Sequence, residues 1–85
     1  MEGEWREVGR VVHYYPKIGV AVVELTGELR VGDRIAFKGS TTNFEQPVES
    51  MQIEHKDVQT AQAGQSIGLK VKERVRERDL VYKLA

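Results

Sequence analysis

Cysteine is absent from this chain of 85 residues. Without thiols the chain can form neither a disulfide nor a thiolate metal site, which fits a reducing, intracellular setting. An excess of charge of one sign is absent as well, because 13 lysines and arginines balance 13 aspartates and glutamates. The overall charge therefore favours neither an acidic nor a basic partner.

Long hydrophobic runs are missing too. The longest apolar run covers residues 20–23, far fewer than the roughly 20 residues that a helix needs to span a bilayer. The first six residues, Met-Glu-Gly-Glu-Trp-Arg, are mostly polar and carry both charges, unlike a signal peptide. We therefore expect a soluble, cytoplasmic protein with no membrane partner.

Motifs of catalysis and metal binding are also lacking. The two histidines, His13 and His55, lie far apart in the sequence, and the acidic residues are dispersed among bases. No serine has the Gly-x-Ser-x-Gly context of a nucleophile, and no Gly-x-x-x-x-Gly-Lys-Ser/Thr loop is present to hold phosphates. We therefore expect no enzymatic activity, no catalytic residue, no metal, no other cofactor and no bound nucleotide.

What the chain does contain is a series of short segments with β-branched and aromatic residues, separated by turn signals. They predict strands over residues 5–15, 18–25, 33–38, 46–54, 66–72 and 80–84. We expect residues 1–85 to form a single domain, an all-β, six-stranded Greek-key β-barrel, with residues 1–4 as a disordered tail. Residues 39–45 and 56–65 are predicted loops. Gly9 and the segment around 49–50 predict bulges.

The predicted core combines the apolar members of all six strands. Its residues are Val11, Val20, Val22, Leu25, Ile35, Phe37, Val48, Met51, Ile53, Ile67, Leu69, Val71, Val81 and Leu84.

Two stretches share one turn pattern. Gly32-Asp33 predicts a turn, since Gly accepts a positive φ and Asp can bond the neighbouring backbone. Residues 76–81, Arg-Glu-Arg-Asp-Leu-Val, echo residues 30–35, Arg-Val-Gly-Asp-Arg-Ile. The echo predicts a second turn, followed by a second strand.

One candidate binding surface is a row of five basic residues at strict alternation, Lys70, Lys72, Arg74, Arg76 and Arg78. In an extended chain such side chains share a face at about 6.6 Å spacing and could follow a nucleic-acid backbone. Alternatively the row is the solvated outer face of a strand and turn, with valines inward and glutamates between the cations.

A second candidate surface lies at the end of the first strand and combines Arg10, His13, Tyr14, Tyr15 and Lys17. Aromatic rings could stack on unpaired bases there while cations hold phosphates. Alternation leaves at most one of the two tyrosine rings free, so a partly buried, structural role is the other interpretation.

The third candidate is Phe44, a single aromatic in a polar segment beside Asn43 and Gln46. The ring is either a plug over the mouth of the barrel or an exposed anchor for a protein partner. In the second case the predicted loops around it would form the contact surface.

Five short motifs occur in an order that resembles domain II of translational GTPases such as elongation factor Tu. They are Val-Gly-Arg-Val at 8–11, Leu-Arg-Val-Gly-Asp-Arg-Ile at 29–35, Val-Glu-Ser-Met-Gln at 48–52, Ala-Gly-Gln-Ser-Ile-Gly-Leu at 63–69 and Asp-Leu-Val at 79–81. The chain resembles a stand-alone copy, a translation elongation factor-like protein. It also resembles the C-terminal barrel of collagenase-like peptidase-family proteins.

The chain departs from the translation-factor pattern in two ways. No nucleotide-hydrolysing domain is present, and Arg78 stands where the pattern has a glycine before Asp79. If residue 78 is left-handed, the side chain costs roughly 1–2 kcal/mol.

The translation-factor resemblance implies a monomeric, non-catalytic module of protein biosynthesis that contacts structured RNA (tRNA or rRNA) or a ribonucleoprotein. The contacts would come from the basic row, Arg10, Tyr14 and Lys17. The alternative function is a protein-interaction module that docks onto a separately encoded enzyme such as a peptidase-like protein.

Overall fold

The computed structural model describes residues 4–85, which form ten β-strands joined by turns. The strands are β1 (Trp5–Tyr15), β2 (Val20–Leu25), β3 (Leu29–Arg30), β4 (Arg34–Lys38), β5 (Asn43–Pro47), β6 (Met51–Ile53), β7 (Lys56–Val58), β8 (Thr60–Ala61), β9 (Ser66–Lys70) and β10 (Leu80–Leu84). The all-β prediction is confirmed. These residues include no helix long and apolar enough to cross a membrane.

The main sheet curls into a barrel. Its strand order is β5-β4-β10-β1-β2-β9-β6-β7, with every pair antiparallel. Only residues 48–50 separate β5 from β6, yet the two strands lie near opposite ends of this order. The sheet must therefore close on itself, and the predicted strand over 46–54 is the broken strand that closes it.

The other predicted strands differ from the observed ones mainly at their ends. The predicted loop over 56–65 contains β7 and β8, and β8 pairs with β3 in a small second sheet. Of the predicted tail at 1–4, residues 1–3 lie outside the described residues. Glu4 is held in place, since its carbonyl accepts a hydrogen bond from the Ala85 amide at 2.7 Å.

A buried amide helps to close the barrel where β5 meets the end of β9. Gln46 is 2% exposed; its Nε2 donates to the Lys70 carbonyl at 2.9 Å, and its Oε1 accepts from the Lys72 amide at 2.9 Å. A side chain thus supplies the two bonds that a backbone ladder would otherwise make at this junction. The prediction that Gln46 lies in a partner-binding loop is wrong, because both ends of its amide are engaged inside the fold.

The two turns predicted from the repeated pattern have the same geometry. Asp33 Oδ2 accepts from the Arg30 amide at 2.9 Å, and Asp79 Oδ2 accepts from the Arg76 amide at 2.8 Å. The residue before each aspartate is left-handed, with φ of 97° at Gly32 and 77° at Arg78. The condition stated for Arg78, a left-handed backbone, is therefore met.

The backbone around the two turns is equivalent as well. Gly32 donates to the Val48 carbonyl, and the Val48 amide donates to Asp33; Arg78 and Asp79 make the same pair of bonds with Val11. All four N···O distances lie between 2.8 and 2.9 Å. The second turn is a structural copy of the first.

This equivalence extends to the strand pairs β4–β10 and β2–β9. The pairing of β4 with β10 is symmetric about Ala36 and Tyr82, and the pairing of β2 with β9 is symmetric about Val22 and Gly68. The same sequence offset relates each of these residues to its partner and each turn to the other. The two turns and these four strands are thus related by an approximate two-fold axis.

The core lies inside the barrel and differs from the predicted core at β2. The residues there that are at most 2% exposed are Ala21, Val23 and Leu25, whereas Val20 and Val22 are half-buried on the outer face. Leu84 is also outside, at 37% exposed, and Ile53 is only partly buried. The ten other predicted core residues are buried.

Gly9 is a close-contact position, as its place inside a long strand indicates. The β1–β10 register shifts between Glu7 and Gly9, which is a bulge. A Cβ on Gly9 would lie 2.7 Å from Cγ1 of Val23 and 2.9 Å from the Glu24 carbonyl oxygen. The long strand can therefore bend tightly over β2 at this point only without a side chain.

A candidate docking groove on the outer face of the barrel

The predicted basic row does not lie on one strand. Strand β9 ends at Lys70, and residues 71–79 form an irregular connection that contains the second turn. The alternating spacing of an extended chain therefore applies only to the start of the row. Val71 and Val75 are buried beneath it, as the solvated-face interpretation predicts.

The cations of this row are exposed, and Lys70 has a local structural role. Its Nζ donates to the Ile18 carbonyl at 2.6 Å, across from β9 to the turn after β1. Lys72, Arg74, Arg76 and Arg78 are exposed on the connection. The five residues are thus spread along a bent segment instead of forming one straight line of charge.

The end of β1 divides its two tyrosines as alternation predicts. Tyr14 is partly buried and packs against the core, whereas Tyr15 is 47% exposed. His13 contacts the Tyr15 ring edge-on at 4.3 Å, and its Nδ1 lies 3.5 Å from Oε2 of Glu77. The structure thus leaves one exposed tyrosine ring in this region, with one edge against His13.

Two neighbours on β1 and its turn complete the second candidate surface. Arg10 lies 3.7 Å from the Glu24 carboxylate, with both side chains about half exposed. Lys17 is exposed in the turn that follows Tyr15. Arg10 and Lys17 thus lie at separate places along β1 and its turn, and Arg10 is paired with an acidic side chain.

Phe44 is a core residue, so the prediction that it is an exposed anchor is wrong. It lies in β5, is 8% exposed, and stacks on Phe37 at 5.0 Å between ring centroids. The polar segment around it pairs with β4 in register, which turns the ring inward. Asn43 is exposed at the edge of this pair, where its Oδ1 accepts from Lys38.

An apolar groove lies elsewhere, on the outer face of β2, β9 and β6. Val20 and Val22 form its floor together with Gly68, which has no side chain to cover them. Tyr15 and Ile18, the latter 58% exposed, form the wall on the side of the β1–β2 turn. The cavity has a volume of about 470 Å³ and is open to solvent on one side. We call this surface the docking groove.

The opposite wall of the docking groove is a strained hairpin turn. Ile53 pairs with Lys56, so Glu54 and His55 are the two loop residues between β6 and β7. Both are left-handed, with φ of 52° and 66°. Two-residue hairpins with positive φ at both positions strongly favour Asn-Gly or similar pairs, and a side chain without that preference is strained there. Such strain is common at functional sites.

The residues that line the groove are suited to binding an apolar group. The floor and the Tyr15–Ile18 wall are apolar, whereas Gln52, Ser66 and the opposite wall, Glu54 and His55, supply polar groups at the rim. Among residues 4–85 there is no group of three His, Asp or Glu that could hold a metal ion. The groove can therefore take up apolar side chains, with hydrogen bonds at its edge.

Val20 and Val22 of the groove floor are predicted core residues, so the sequence does not predict the groove. Four consecutive apolar residues at 20–23 leave the facing of each residue undecided when the run is taken alone. Leu25 could have decided it, because strict alternation from a buried Leu25 places Val23 and Ala21 inside and Val22 and Val20 outside.

Comparisons with known proteins give a consistent set of relatives. The chain is 49% identical over 79 residues to an uncharacterized protease of Methanocaldococcus jannaschii and 41% identical over 78 residues to a collagenase of Porphyromonas gingivalis. These matches cover 92% and 89% of this chain but 19% and 22% of the relatives. The chain thus spans about a fifth of the length of the curated relatives it matches.

A solved structure has the same fold. The C-terminal domain of a candidate U32 peptidase from Geobacillus thermoleovorans superimposes with a TM-score of 0.87 at 28% identity, covering 93% of this chain and 92% of that domain. Its selenomethionine variant gives a TM-score of 0.85 over 89% and 96% of the two chains. No family model matches the chain.

These relatives correct the translation-factor interpretation. They are peptidases and collagenases, not translation elongation factors or RNA-binding proteins, so the predictions of a role in protein biosynthesis and of RNA binding are wrong. The resemblance to collagenase-like peptidase-family barrels is the part that is confirmed. The homologues of this chain are parts of peptidase-family proteins, among them the C-terminal domain of a U32-type protein.

Proposed function

We propose that this chain is a non-catalytic barrel domain of the U32 peptidase and collagenase family, which docks onto a peptidase-like domain. One observation carries the proposal: a stretch of 79 residues, 49% identical to this chain, makes up 19% of a protease. The other four-fifths of that protein supply a body against which such a barrel can pack. An interface of this kind resembles a transient protein–protein contact.

The composition of the site supports a binding role over a catalytic one. The polar groups of the groove, Ser66 and His55 among them, stand around an apolar floor. We therefore expect the catalytic residues of the relative in its other four-fifths, and a binding surface on the barrel. The same kind of contact would form whether the peptidase-like domain and the barrel belong to one chain or to two chains.

Binding between the two parts tests this function directly. The partner is the Methanocaldococcus jannaschii protease without its 79 similar residues, with its folding verified by circular dichroism. Isothermal titration calorimetry with this chain should give a dissociation constant in the roughly micromolar range. Since the proposed contact is mainly apolar, we expect little change in affinity as the salt concentration rises.

Two controls distinguish this docking from a charge-driven contact. A Lys72→Glu, Arg74→Glu variant should bind as the wild type does, because both residues lie outside the groove. Phe44→Ala is unsuitable as a docking probe, since it removes a buried ring. Absence of binding by the folded partner at high micromolar concentration would contradict the proposed function.

A further inference from the structure

We infer that the docking groove is the surface on which the peptidase-like domain packs, with an apolar side chain of that domain seated over Gly68. This inference rests on the proposed function and adds to it the place and the chemistry of the contact. Its partner is a folded protein surface that presents an aliphatic or aromatic side chain, in a contact that depends little on charge.

The first support is the exposure of large apolar side chains. Among the described residues, three large hydrophobic side chains are exposed, and two of them, Tyr15 and Ile18, form one wall of the groove. The third, Leu84, lies outside it. A contiguous apolar surface with polar groups at its rim is typical of a protein–protein contact. Tyrosine in particular is enriched among the residues that dominate such contacts.

The second support is Gly68, because the fold itself gives no reason for a glycine there. Its φ is not left-handed, and the register on both sides of β9 runs without a bulge at this position. A Cβ would make an ordinary contact, 3.5 Å from Cγ1 of Val20. A glycine in a strand interior weakens the strand, and it often marks a place where another chain approaches closely.

The third support is the Glu54–His55 turn. These are two of the three left-handed non-glycine residues in the described part of the chain, and they are adjacent. Asn-Gly would relieve the strain, yet the turn holds two larger side chains at the groove rim. The glycine on the floor and the strained turn beside it are independent features of one surface.

The relatives indicate which kind of molecule would fill the docking groove. In the curated relatives the similar segment is 19% or 22% of a longer chain, so a large protein body is covalently attached to the barrel. An attached body is present at high effective concentration, and even a contact of modest affinity would be occupied. A small apolar ligand and a second copy of this chain are the competing occupants, and the test below separates them from the attached body.

The experiment compares the free chain with the same chain built into its relative. In a chimera, the chain replaces the 79 similar residues of the Methanocaldococcus jannaschii protease. Because this chain has no cysteine of its own, Ile18→Cys and Leu84→Cys each provide a reporter. Maleimide labelling of the peptide that carries the reporter is followed by mass spectrometry, in the free chain and in the chimera. Leu84→Cys is the matched control, an exposed large hydrophobic outside the groove.

The expected result is that Ile18→Cys reacts about tenfold more slowly in the chimera than in the free chain, while Leu84→Cys reacts at the same rate in both. Adding Gly68→Val, which fills the floor of the groove, should return the Ile18→Cys rate to that of the free chain. A dilution series of the free chain should leave its labelling rate unchanged, since a second copy is not the occupant.

Other labelling results would overturn the inference. If Ile18→Cys is not slowed but Leu84→Cys is, the body packs elsewhere, which overturns the groove and keeps the proposed function. If neither reporter is slowed, the groove is overturned, and the calorimetric titration then decides whether the body docks on another surface or does not dock at all. Protection of Ile18→Cys that persists with Gly68→Val, or that depends on the concentration of the free chain, also overturns the inference.

Discussion

The carboxylate of Asp79 lies directly over Gly39, so that a Cβ on Gly39 would collide with Oδ1 of Asp79. Asp79 is 5% exposed, and its Oδ2 is held by the Arg76 amide at 2.8 Å. The carboxylate cannot turn away without losing this bond. The second turn is in this way fitted against the end of β4.

Gly39→Ala should therefore lower the free energy of unfolding by about 1–3 kcal/mol, as overpacking of a tight site does. Urea denaturation of the purified chain measures it. Gly68→Ala is the matched control, since its Cβ has room and a strand gains about 0.5–1 kcal/mol when Gly becomes Ala. Equal stabilities of the two variants would contradict the steric explanation.

Arg78→Gly should raise the free energy of unfolding by roughly 1–2 kcal/mol, because φ at this position is 77° and glycine carries no left-handed penalty. For a domain of this size each kcal/mol corresponds to about 4–8 °C in Tm, which calorimetry resolves. Arg74→Gly, at an exposed position that is not left-handed, should give no such gain. A lower Tm for Arg78→Gly would count against strain at the turn.

The turns were predictable from the sequence because their chemistry is local. Gly32-Asp33 and the echo at 76–81 carry the residue types that a left-handed position and an aspartate-capped turn require. The strand in residues 43–47 was not predictable in this way, since Asn-Phe-Glu-Gln-Pro is polar and resembles a loop. It is a strand because β4 pairs with it, and the sequence does not reveal that pairing.

The groove illustrates a second limit. Its floor depends on which of two adjacent valines faces outward, and that is fixed by the pairing of β2 with β1 and β9. Its strained wall gave no signal, because Glu54-His55 lacks the Asn or Gly that marks such a turn. The fold class could therefore be predicted from the sequence, whereas the groove could be located only once the strand register was known.

Gln46→Leu should lower the free energy of unfolding by roughly 1–3 kcal/mol, since it leaves the Lys70 carbonyl and the Lys72 amide without their partner. Hydrogen exchange should locate the loss at the Lys72 amide. Gln52→Leu is the comparison, because Gln52 is exposed and bonds only the Asp57 side chain, at 3.0 Å. That variant should stay within about 0.5 kcal/mol of the wild type. Slow exchange at Lys72 in Gln46→Leu would contradict its role in closing the barrel.

Glu28 should make stability depend on pH in the acid range. A hydrogen bond from the Gln62 side chain, and secondarily the charge of Arg30, hold the pKa of Glu28 below its ordinary 4.5. A carboxyl whose pKa is lowered on folding stabilises the fold above the ordinary pKa, and this contribution disappears as the pH falls through the lowered value. The stability difference between wild type and Glu28→Gln should accordingly be present at neutral pH and shrink below about pH 4.

An NMR titration of the Glu28 carboxyl provides the control for this pH effect. Gln62→Ala removes the largest cause, the bond to Oε2 of Glu28 at 3.2 Å, and should move the pKa back toward its ordinary value. An unchanged titration of Glu28 in that variant would show that the hydrogen bond is not the cause.

The approximate two-fold axis through Val22 and Gly68 gives the docking groove a direction. The axis places the end of β1 and the end of β6 on opposite sides of the floor. The two sides differ in chemistry: one is the apolar Tyr15–Ile18 wall and the other the polar Glu54–His55 turn. A symmetric groove would accept an occupant in either of two orientations. Two walls of different chemistry on an almost symmetric backbone select one of these orientations, so the difference between the walls gives the groove its polarity.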